Sequence, residues 1–358
     1  MTSQTPESVR VPAAALEAFM QRALVAARLP ETDAARVACL MTRADLIGSD
    51  NHGVFRLPPY VERIHAGGIN VKPSIRVLRE SAGMALVDGD NGMGHLVMEF
   101  ATRVAMNKAA QSGVAWVGVR NSNHAGPAAL YAAMPLERDM IGLYIAVGNA
   151  NHMAPWGGTG LLLSTNPIAV AVPAMEEPAL VLDMATSVAA YGKVKGAASR
   201  GESMPEGWMI DRQGRPITDP LRSGEGSLVP IGGPKGYALS LMFSLLAGVL
   251  NGAGVGRDTV DFNADQGTPT NTGQLMVAIS IAAFGDVAEF KRTVDRVIRD
   301  LHDSPTMPGV EAVRVPGERS HRIRIERERT GIPLHGSLRA RLDALAERLG
   351  VPGVLADN

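Results

Sequence analysis

The order of strand-like and helical patterns along the chain is the strongest constraint on its fold. Short apolar segments typical of buried strands alternate with longer segments in which apolar residues recur at helical spacing. This alternation predicts an α/β architecture with helical segments at both ends. The predicted strands are 84–88, 114–119, 140–147, 168–173, 180–184 and 274–284, and the predicted helices are 12–29, 31–48, 96–112, 126–137, 187–198, 236–250, 287–301 and 336–349.

Three further segments carry local patterns of their own. Residues 207–218 predict a hairpin that turns at Gln213–Gly214. The alternating segment from Arg322 to Glu328 predicts a strand. The apolar stretch from Ala238 to Leu250 has 13 residues. Because a helix needs about 20 apolar residues to cross a bilayer, this stretch predicts a buried core helix.

Charge and cysteine usage narrow the functional classes. Lys and Arg number 35 and Asp and Glu number 36, so the net charge is −1 and no general basic field attracts nucleic acid. Cys39 is the only cysteine, so an internal disulfide and a thiolate metal cluster are excluded, and no metal site is predicted. The first twelve residues lack the apolar core of a secretory signal. We therefore expect a cytoplasmic protein with neither a nucleic-acid nor a membrane partner.

The chain contains 39 glycines among 358 residues, which raises the question of a nucleotide-binding loop. The segment Gly252-Ala-Gly254-Val-Gly256 follows a predicted helix instead of a strand, and Arg257 occupies the position that the last fingerprint glycine requires. The Walker pattern G-x-x-x-x-G-K-[ST] and the zinc pattern H-E-x-x-H do not occur. The sequence thus excludes the Rossmann and Walker fingerprints, and the glycine surplus indicates many separate backbone turns.

A polar loop after the second predicted helix carries the first candidate site. His52 lies in this loop, and Arg56 and Tyr60 follow at steps of four. Histidine exchanges protons near neutral pH, and arginine binds a carboxylate through two parallel hydrogen bonds. The three side chains therefore suit a small carboxylate substrate with a reactive carbonyl. The pair Pro58–Pro59 prevents them from forming one continuous helical face.

A second histidine, His124, lies between a predicted strand and a predicted helix. Ligands of α/β proteins collect at the carboxyl ends of strands, which favours a functional role. The alternative is a structural loop in which Ser122 or Asn123 caps the helix. The remaining histidines have no marked local context and are predicted to be surface or capping residues: His65, His95, His152, His302, His321 and His335.

Two predicted helix starts and one basic segment are candidates for binding a phosphate. Asp183 ends a strand just before Thr186, and Lys235 precedes Gly236 at another helix start. A plain helix cap is the alternative for each. The arginine-dense segment from Arg314 to Arg329 indicates a solvated strand edge or a dimer rim, or a site in which one arginine binds a cofactor phosphate.

Taken in order, these motifs resemble the malate/L-lactate dehydrogenase family, whose members lack a Rossmann fold and include ureidoglycolate dehydrogenase, diketogulonate reductase and piperideine-2-carboxylate reductases. The resemblance covers roughly residues 12–350, and the order of seven motifs makes it specific. The motifs are His52-Gly53 with Arg56 and Tyr60, Asn121-Ser122-Asn123-His124, Ala154-Pro155-Trp156-Gly157-Gly158, Thr165-Asn166-Pro167, the segment 182–187, the segment 232–237 and the segment 313–318.

The resemblance implies a homodimeric oxidoreductase with a family-specific, non-Rossmann NAD(P)-binding α/β fold. Hydride passes between the nicotinamide and C2 of a 2-oxo acid, 2-hydroxy acid or cyclic imino acid. His52 is the implied proton donor, His124 takes that role in some members, and Arg56 and Tyr60 complete the catalytic set. The implied residues for binding NAD or NADP are Asn121, Thr165, Asp183, Met184, Ala185, Thr186, Lys235, Gly236, Arg314, Pro316, Gly317 and Glu318.

The same resemblance predicts a division of the chain into three parts. Residues 1–66 form a helical segment that packs with 287–358, residues 67–124 and 235–286 form the core and dimer-interface part, and residues 125–234 bind the cofactor.

Three positions depart from the family pattern: Asn51 replaces a serine, Pro234 a tyrosine and Ala238 a glycine. The physiological substrate and the choice between NAD and NADP stay open. A nucleotide-binding protein without catalysis is the alternative function, and a serine hydrolase lacks its G-x-S-x-G motif.

Overall fold

A seven-stranded sheet organises residues 8–355, the part of the chain that the computed structural model describes, with nothing described for the side chains of residues 199 and 200. In this sheet only the strands Met84–Asp88 and Val114–Ser122 pair in parallel, and every other neighbouring pair is antiparallel. In spatial order the strands are Arg76–Glu80 (β2), Met84–Asp88 (β3), Val114–Ser122 (β4), Thr272–Ser280 (β10), Met140–Ala146 (β5), Ile168–Val172 (β6) and Leu180–Met184 (β7).

Two small sheets join segments that are distant in sequence. Val9–Val11 (β1) pairs with Ile332–Leu334 (β11), and Met209–Asp211 (β8) pairs with Gly226–Leu228 (β9). Together with the helices these sheets confirm the predicted α/β architecture. The helices are Ala13–Ala26 (α1), Glu31–Leu46 (α2), Leu57–His65 (α3), Gly94–Ser112 (α4), Ala129–Ala133 (α5), Tyr191–Arg200 (α6), Pro234–Phe243 (α7), Val287–His302 (α8), Glu318–Thr330 (α9) and Gly336–Leu349 (α10).

The central sheet is packed on both faces because its strands alternate apolar side chains. In β4, Val117 and Val119 face a core that includes Val97 and Ala101 of α4, whereas Trp116 faces the opposite core beside Phe243. Small alanines along α4 let that helix approach the sheet closely. The sheet is therefore held rigidly between helices, and its strand ends present loops in fixed positions.

A separate core joins the two ends of the described chain. Phe19 of α1, Val37 of α2, Tyr60 of α3 and Leu342 of α10 belong to one buried cluster, which the pairing of β1 with β11 closes. This cluster sets α2 and α3, and the loop between them, against the sheet. The predicted division into three parts, 1–66 with 287–358, 67–124 with 235–286, and 125–234, stays a prediction.

The strand predicted for 322–328 is wrong, because this segment lies within α9. Ion pairs at helical spacing account for the difference: Arg324 pairs with Glu328 at 3.2 Å, and Glu318 lies 3.9 Å from Arg322. The alternation of Arg and Ile imitated a strand, whereas the charges four positions apart favour a helix. The hairpin predicted for 207–218 is confirmed: it turns at Gln213–Gly214, and the Ile217 N–H donates to the Met209 carbonyl at 3.0 Å. Its first strand, β8, also pairs with β9.

The apolar stretch 238–250 is not a buried core helix in the single chain, so that prediction is wrong. It begins in α7 and continues through a π-helical turn at Ser244–Gly248 and a 3₁₀ turn at Val249–Asn251. One face packs on the sheet through Phe243 and Ala247, while Val249 is 53% exposed and Leu250 is 63% exposed. Across residues 8–355 no helix has both the length and the apolar character to cross a membrane.

Candidate active site

A cavity of about 1260 Å³ opens between the helical cluster and one end of the sheet. The loop around His52, the loop after β4, the end of β7, the start of α6 and the start of α9 line it. Pockets for small molecules span roughly 300–1,000 Å³. This cleft is therefore larger than a small acid requires and has room for a second, longer ligand.

A buried carboxyl group shapes the loop that carries His52. Asp45, at the end of α2, is 2% exposed and accepts a hydrogen bond from the Val54 backbone N–H at 2.8 Å. A Cβ atom at Gly53 would overlap the Asp45 carboxyl group, so this position requires glycine. Arg327 of α9 donates to the Asp45 carbonyl and pairs with Asp50, which closes the outer side of the loop.

The loop that carries His124 is held by a buried amide. The Asn123 side chain donates to the Gly92 carbonyl at 3.0 Å and to the Asn91 carbonyl at 3.1 Å. A Cβ at Gly94 would overlap the Asn123 carbonyl, so α4 approaches this loop only because Gly94 has no side chain. Neither Ser122 nor Asn123 caps the following helix, so the structural capping alternative is wrong.

Three of the predicted catalytic side chains form one hydrogen-bonded chain. His52 Nδ1 lies 3.3 Å from His124 Nε2, and the Tyr60 hydroxyl lies 2.6 Å from His124 Nδ1. The Gly126 backbone N–H also donates to His124 Nδ1, at 3.4 Å. Because a backbone N–H only donates, Nδ1 of His124 is an acceptor and its proton is on Nε2. Tyr60 therefore donates to His124, His124 donates to His52 Nδ1, and His52 keeps its proton on Nε2.

Burial sets the charge states of His52, His124 and Tyr60. Desolvation lowers the pKa of His52 to about 3, and the neighbouring Arg56 guanidinium lowers it in the same direction. Desolvation also lowers the pKa of His124 well below its ordinary value, and it raises the pKa of Tyr60. Both imidazoles are consequently neutral near pH 7, and Tyr60 is a protonated phenol.

Behind the hydrogen-bonded side chains lies a third histidine, His95, for which the sequence predicts a surface or capping role. His95 is 0% exposed, and its ring meets the Tyr60 ring edge-on at 5.5 Å. Neither of its ring nitrogens has a hydrogen-bond partner within the described part of the chain. The prediction of a surface or capping role is therefore wrong for His95, and no local sequence signal distinguished this residue.

The Arg56 guanidinium faces the same cleft. Its Nε donates to the Asn51 carbonyl at 2.9 Å, and one terminal nitrogen reaches the Asn263 side-chain oxygen at 3.4 Å. Both partners are neutral, so no carboxylate of the described chain neutralises this cation. The arrangement leaves Arg56 available for an anionic ligand.

Helix α6 brings side chains that the sequence analysis did not select. His152 and Tyr191 stack with ring centroids 4.0 Å apart, and the Lys195 ammonium lies 5.4 Å from the Tyr191 ring centroid. All three line the cleft. The step of four between Tyr191 and Lys195, directly after the motif at 182–187, was the signal that could have placed both on one helix face.

Asp183 connects the end of β7 to the start of α5, which follows the His124 loop. Its carboxylate is open to the cleft and accepts the Ala129 N–H at 2.9 Å, at the start of α5. Surrounding protein raises the pKa of Asp183 to about 6 through desolvation. The predicted cofactor residues that line this cleft are Thr165, Asp183, Met184, Ala185, Arg314, Pro316 and Gly317.

Five predicted cofactor residues do not line the cleft of the single chain. Asn121 donates to Asp88 at 3.0 Å, and the Thr186 hydroxyl donates to the Thr165 carbonyl at 2.9 Å. Glu318 accepts the Val315 N–H at 3.2 Å and so shapes the turn beside the cleft. Lys235 is exposed at the start of α7, where Gly236 packs against the Ile231 backbone.

The cleft fits a dinucleotide by size and by donor set. An open carboxylate at Asp183 is suited to a ribose hydroxyl, and the Arg314 side chain to a phosphate. Among residues 8–355 no group of three or more His, Cys, Asp or Glu side chains is arranged to hold a metal ion.

Known proteins share this chain's sequence and architecture over nearly its full length. A family model described as malate/L-lactate dehydrogenase matches residues 11–343. The malate dehydrogenase of Pyrococcus horikoshii is 39% identical over 356 residues, which cover 97% of each chain. Its solved structure superposes with a TM-score of 0.89 at 35% identity and covers 98% of this chain and 99% of that one.

Two relatives with other named activities also match. The L-sulfolactate dehydrogenase of Methanocaldococcus jannaschii is 37% identical over 323 residues, which cover 90% of this chain and 92% of that protein. The Delta(1)-pyrroline-2-carboxylate/Delta(1)-piperideine-2-carboxylate reductase of Pseudomonas putida is 34% identical over 349 residues, which cover 97% of this chain and 98% of that protein.

Replacing Asp45 tests how the His52 loop is held. Asp45→Leu removes the acceptor of the Val54 N–H, and a buried donor without a partner costs about 1–3 kcal/mol in the free energy of unfolding. Burial raises the pKa of Asp45 well above its ordinary value, so a neutral acceptor suits the site and Asp45→Asn should cost less. Urea unfolding of both variants measures the difference. Equal losses for Leu and Asn would contradict the role of this hydrogen bond.

Proposed function

Since this chain belongs to the malate/L-lactate dehydrogenase family, we propose that its cleft binds a small 2-oxo or 2-hydroxy acid with His52 as the proton-transfer group and Arg56 as the carboxylate clamp. The hydrogen-bonded chain Tyr60–His124–His52 carries this proposal, because it ends on the cleft beside an arginine without a counter-ion. His124 and Tyr60 orient His52 in this scheme, and His52 is the proton donor of the two histidines.

The prediction of an NAD(P)-dependent oxidoreductase for small 2-hydroxy or 2-oxo acids is confirmed by the dehydrogenases and the imino acid reductase among its relatives. The predicted family and its non-Rossmann fold are confirmed as well. The comparison proteins act on different acids, so the preferred substrate follows from this chain's own side chains.

In the reaction the protein's own side chains bind the substrate and transfer one proton. Arg56 binds the carboxylate through two N–H groups, which fixes the C2 carbonyl beside His52 Nε2. During reduction His52, with a proton on each ring nitrogen, gives its Nε2 proton to the oxygen that becomes the hydroxyl and is left neutral with its proton on Nδ1, where His124 Nε2 accepts it. During oxidation this neutral tautomer, whose Nε2 is free, takes the hydroxyl proton, whereas in the empty cleft the proton of His52 rests on Nε2. General acid–base catalysis by a positioned side chain accelerates a reaction by about 10²–10⁴-fold.

We further propose that residues 125–234 form the cofactor-binding part, together with the turn at 314–318. Thr165, Asp183, Met184, Ala185, Arg314, Pro316 and Gly317 line the cleft and would hold NAD or NADP, and Asn121, Thr186 and Glu318 would support this wall. Bound there, the nicotinamide supplies or accepts the hydride. Lys235 and Gly236 lie apart from the cleft, and their assignment rests on the family resemblance.

A substrate panel tests the proposed function. Purified protein is mixed with NADH or NADPH and with pyruvate, oxaloacetate, sulfopyruvate, glyoxylate or piperideine-2-carboxylate, and the absorbance of the reduced cofactor is followed. We expect oxidation of one cofactor with at least one 2-oxo acid. If both cofactors bind, as measured by calorimetry, but none of the compounds is reduced, the non-catalytic alternative replaces this proposal.

Replacing His52 and Arg56 separates their roles. His52→Gln should lower kcat by about 10²–10⁴-fold with little change in the Kd of the cofactor, because it removes the proton-transfer group alone. Arg56→Lys should mainly raise KM for the acid, since a lysine makes no paired fork to a carboxylate. Steady-state kinetics and calorimetry measure both effects. A His52 variant that loses cofactor affinity and kcat together would indicate a structural role.

The low pKa of His52 predicts an unusual pH profile for hydroxy-acid oxidation. The neutral imidazole is the active base in that direction, and with a pKa of about 3 it stays neutral from pH 8 down to pH 5.5. The kcat/KM for oxidation should therefore be constant over this range. An unshifted histidine, with a pKa of about 6.5, would lose roughly tenfold between pH 7.5 and 5.5. An inflection near pH 6.5 would contradict the proposed state of His52.

We also propose a homodimer whose interface includes the exposed apolar face of 239–250. Large apolar side chains on one helical face rarely stay in water in a monomer. The side chains that form this face are Leu239, Met242, Leu245, Leu246, Val249 and Leu250. A second copy of the chain would cover this face.

Light scattering on purified protein measures the assembly state. Leu250→Glu should shift the mass from dimer to monomer, because a buried carboxylate is costly at an apolar interface. Val297→Glu, at a similarly exposed position on α8, is the matched control and should leave the mass unchanged. A wild-type mass of one chain, or a Leu250→Glu dimer of unchanged affinity, would contradict the proposal.

We propose a cytoplasmic location, supported by a single cysteine that forms no internal disulfide. Cell fractionation followed by immunoblotting for this chain tests it, and recovery in an extracellular fraction would overturn it.

A further inference from the structure

The first turn of α6 lies directly against the loop of His52. A Cβ atom at Gly192 would come within 2.8 Å of the Asn51 side-chain nitrogen, one residue before His52. An added Cβ at this position would require the Asn51 side-chain amide to move, so the helix packs directly on that side chain. The helix therefore presents its following turn to the same end of the cleft as His52 and Arg56.

Lys195 is on that following turn, three positions after Gly192, and so on the same helix face. Its ammonium group lies 5.4 Å from the centroid of the Tyr191 ring, which itself stacks on His152. The stack limits where the lysine can point and keeps its charge at the cleft wall. Among the residues that the structure describes, no Asp or Glu lies within ion-pair distance of Lys195.

The cleft end thus contains two cations with no direct counter-ion. Among the described residues, Arg56 is bound by the neutral groups of Asn51 and Asn263 and by no carboxylate. Burial lowers the pKa of Lys195, the nearby Arg56 guanidinium lowers it further, and the Asp261 carboxylate opposes both. Two uncompensated positive charges near each other destabilise the empty site, and a ligand with one negative charge neutralises only one of them.

We propose that Arg56 and Lys195 form a two-point anion site, so that the preferred substrate is a 2-oxo or 2-hydroxy acid with a second acidic group. Arg56 binds the carboxylate next to the reacting carbon, and Lys195 binds the carboxylate or sulfonate at the other end. This inference rests on the proposed function, since it assigns the distal group of the same substrate. A dianionic acid satisfies both cations, whereas pyruvate or a cyclic imino acid leaves Lys195 unpaired.

Kinetics on matched substrates test the assignment. Oxaloacetate and pyruvate differ by one carboxylate, and wild-type protein should show a higher kcat/KM for oxaloacetate. Lys195→Gln should lower that kcat/KM by about 10- to 100-fold, the loss expected for one charged hydrogen bond, and change the value for pyruvate little. Lys108→Gln is the control, because Lys108 does not line the cleft and pairs with Glu80 at 2.8 Å. This control should behave as wild type with both acids.

Three outcomes would overturn the proposal: equal losses for both acids in Lys195→Gln, a wild-type preference for pyruvate, or a Lys195 variant that raises KM for the cofactor in place of the acid. The last outcome would assign Lys195 to the cofactor phosphates. Melting temperatures of the variants check that both fold.

A binding measurement separates this inference from the proposed function. Malate and lactate bound to the protein loaded with reduced cofactor form complexes that cannot react, so calorimetry reports affinity alone. Malate should bind more tightly than lactate, and Lys195→Gln should remove that difference. If no acid is turned over but this preference is present, the proposed function fails and the two-point site stands. If turnover is present without the preference, the site fails alone.

Discussion

The contact between His52 and His124 is the interaction on which the arrangement of the cleft depends. These residues are 72 positions apart, one in the helical cluster formed by the chain ends and the other in the loop that leaves the central sheet. Their rings are nearly parallel, with 7° between the planes, and Tyr60 holds His124 from the helical side. A shift of the helical cluster against the sheet would separate the two rings, so the fold and the geometry of the proposed proton-transfer pair are coupled.

The parts of the molecule that follow from local patterns were predictable from the sequence. β3, β7 and α10 have the predicted bounds, because strong periodicity and flanking breakers act within a few residues. Histidine, arginine and tyrosine at steps of four indicated a loop that lies at the cleft, since side-chain chemistry is visible in a single chain. The need for glycine at positions 53 and 94 was not predictable, because it depends on tertiary contacts. Gly53 lies against the buried Asp45 carboxyl group, and Gly94 lies against the Asn123 carbonyl.

What the sequence could not predict depends on tertiary placement. The Arg and Ile alternation of 322–328 fits a strand and a helix alike, and only the ion pairs between positions four apart favour α9. His95 looked ordinary because burial behind Tyr60 is set by the packing of α3 on α4. The apolar segment 238–250 is long enough for a core helix, yet sequence alone does not say how much of its surface its own chain covers. The position of Lys195 at the cleft was not predictable, because it depends on the packing of Gly192 of α6 against Asn51.

Under the proposed function, the electrostatics of the cleft impose an order on ligand binding and proton uptake. Burial keeps both imidazoles neutral, and the positive charge of Arg56 lowers the pKa of each further. A substrate carboxylate that neutralises Arg56 removes that second contribution, so the histidine pKa rises when the acid binds. Reduction consumes one proton, and the pair His52–His124 therefore binds that proton most readily after the acid is in place. Because the same carboxylate both positions the carbonyl and favours protonation beside it, an acid without a carboxylate next to the reacting carbon loses orientation and proton supply together.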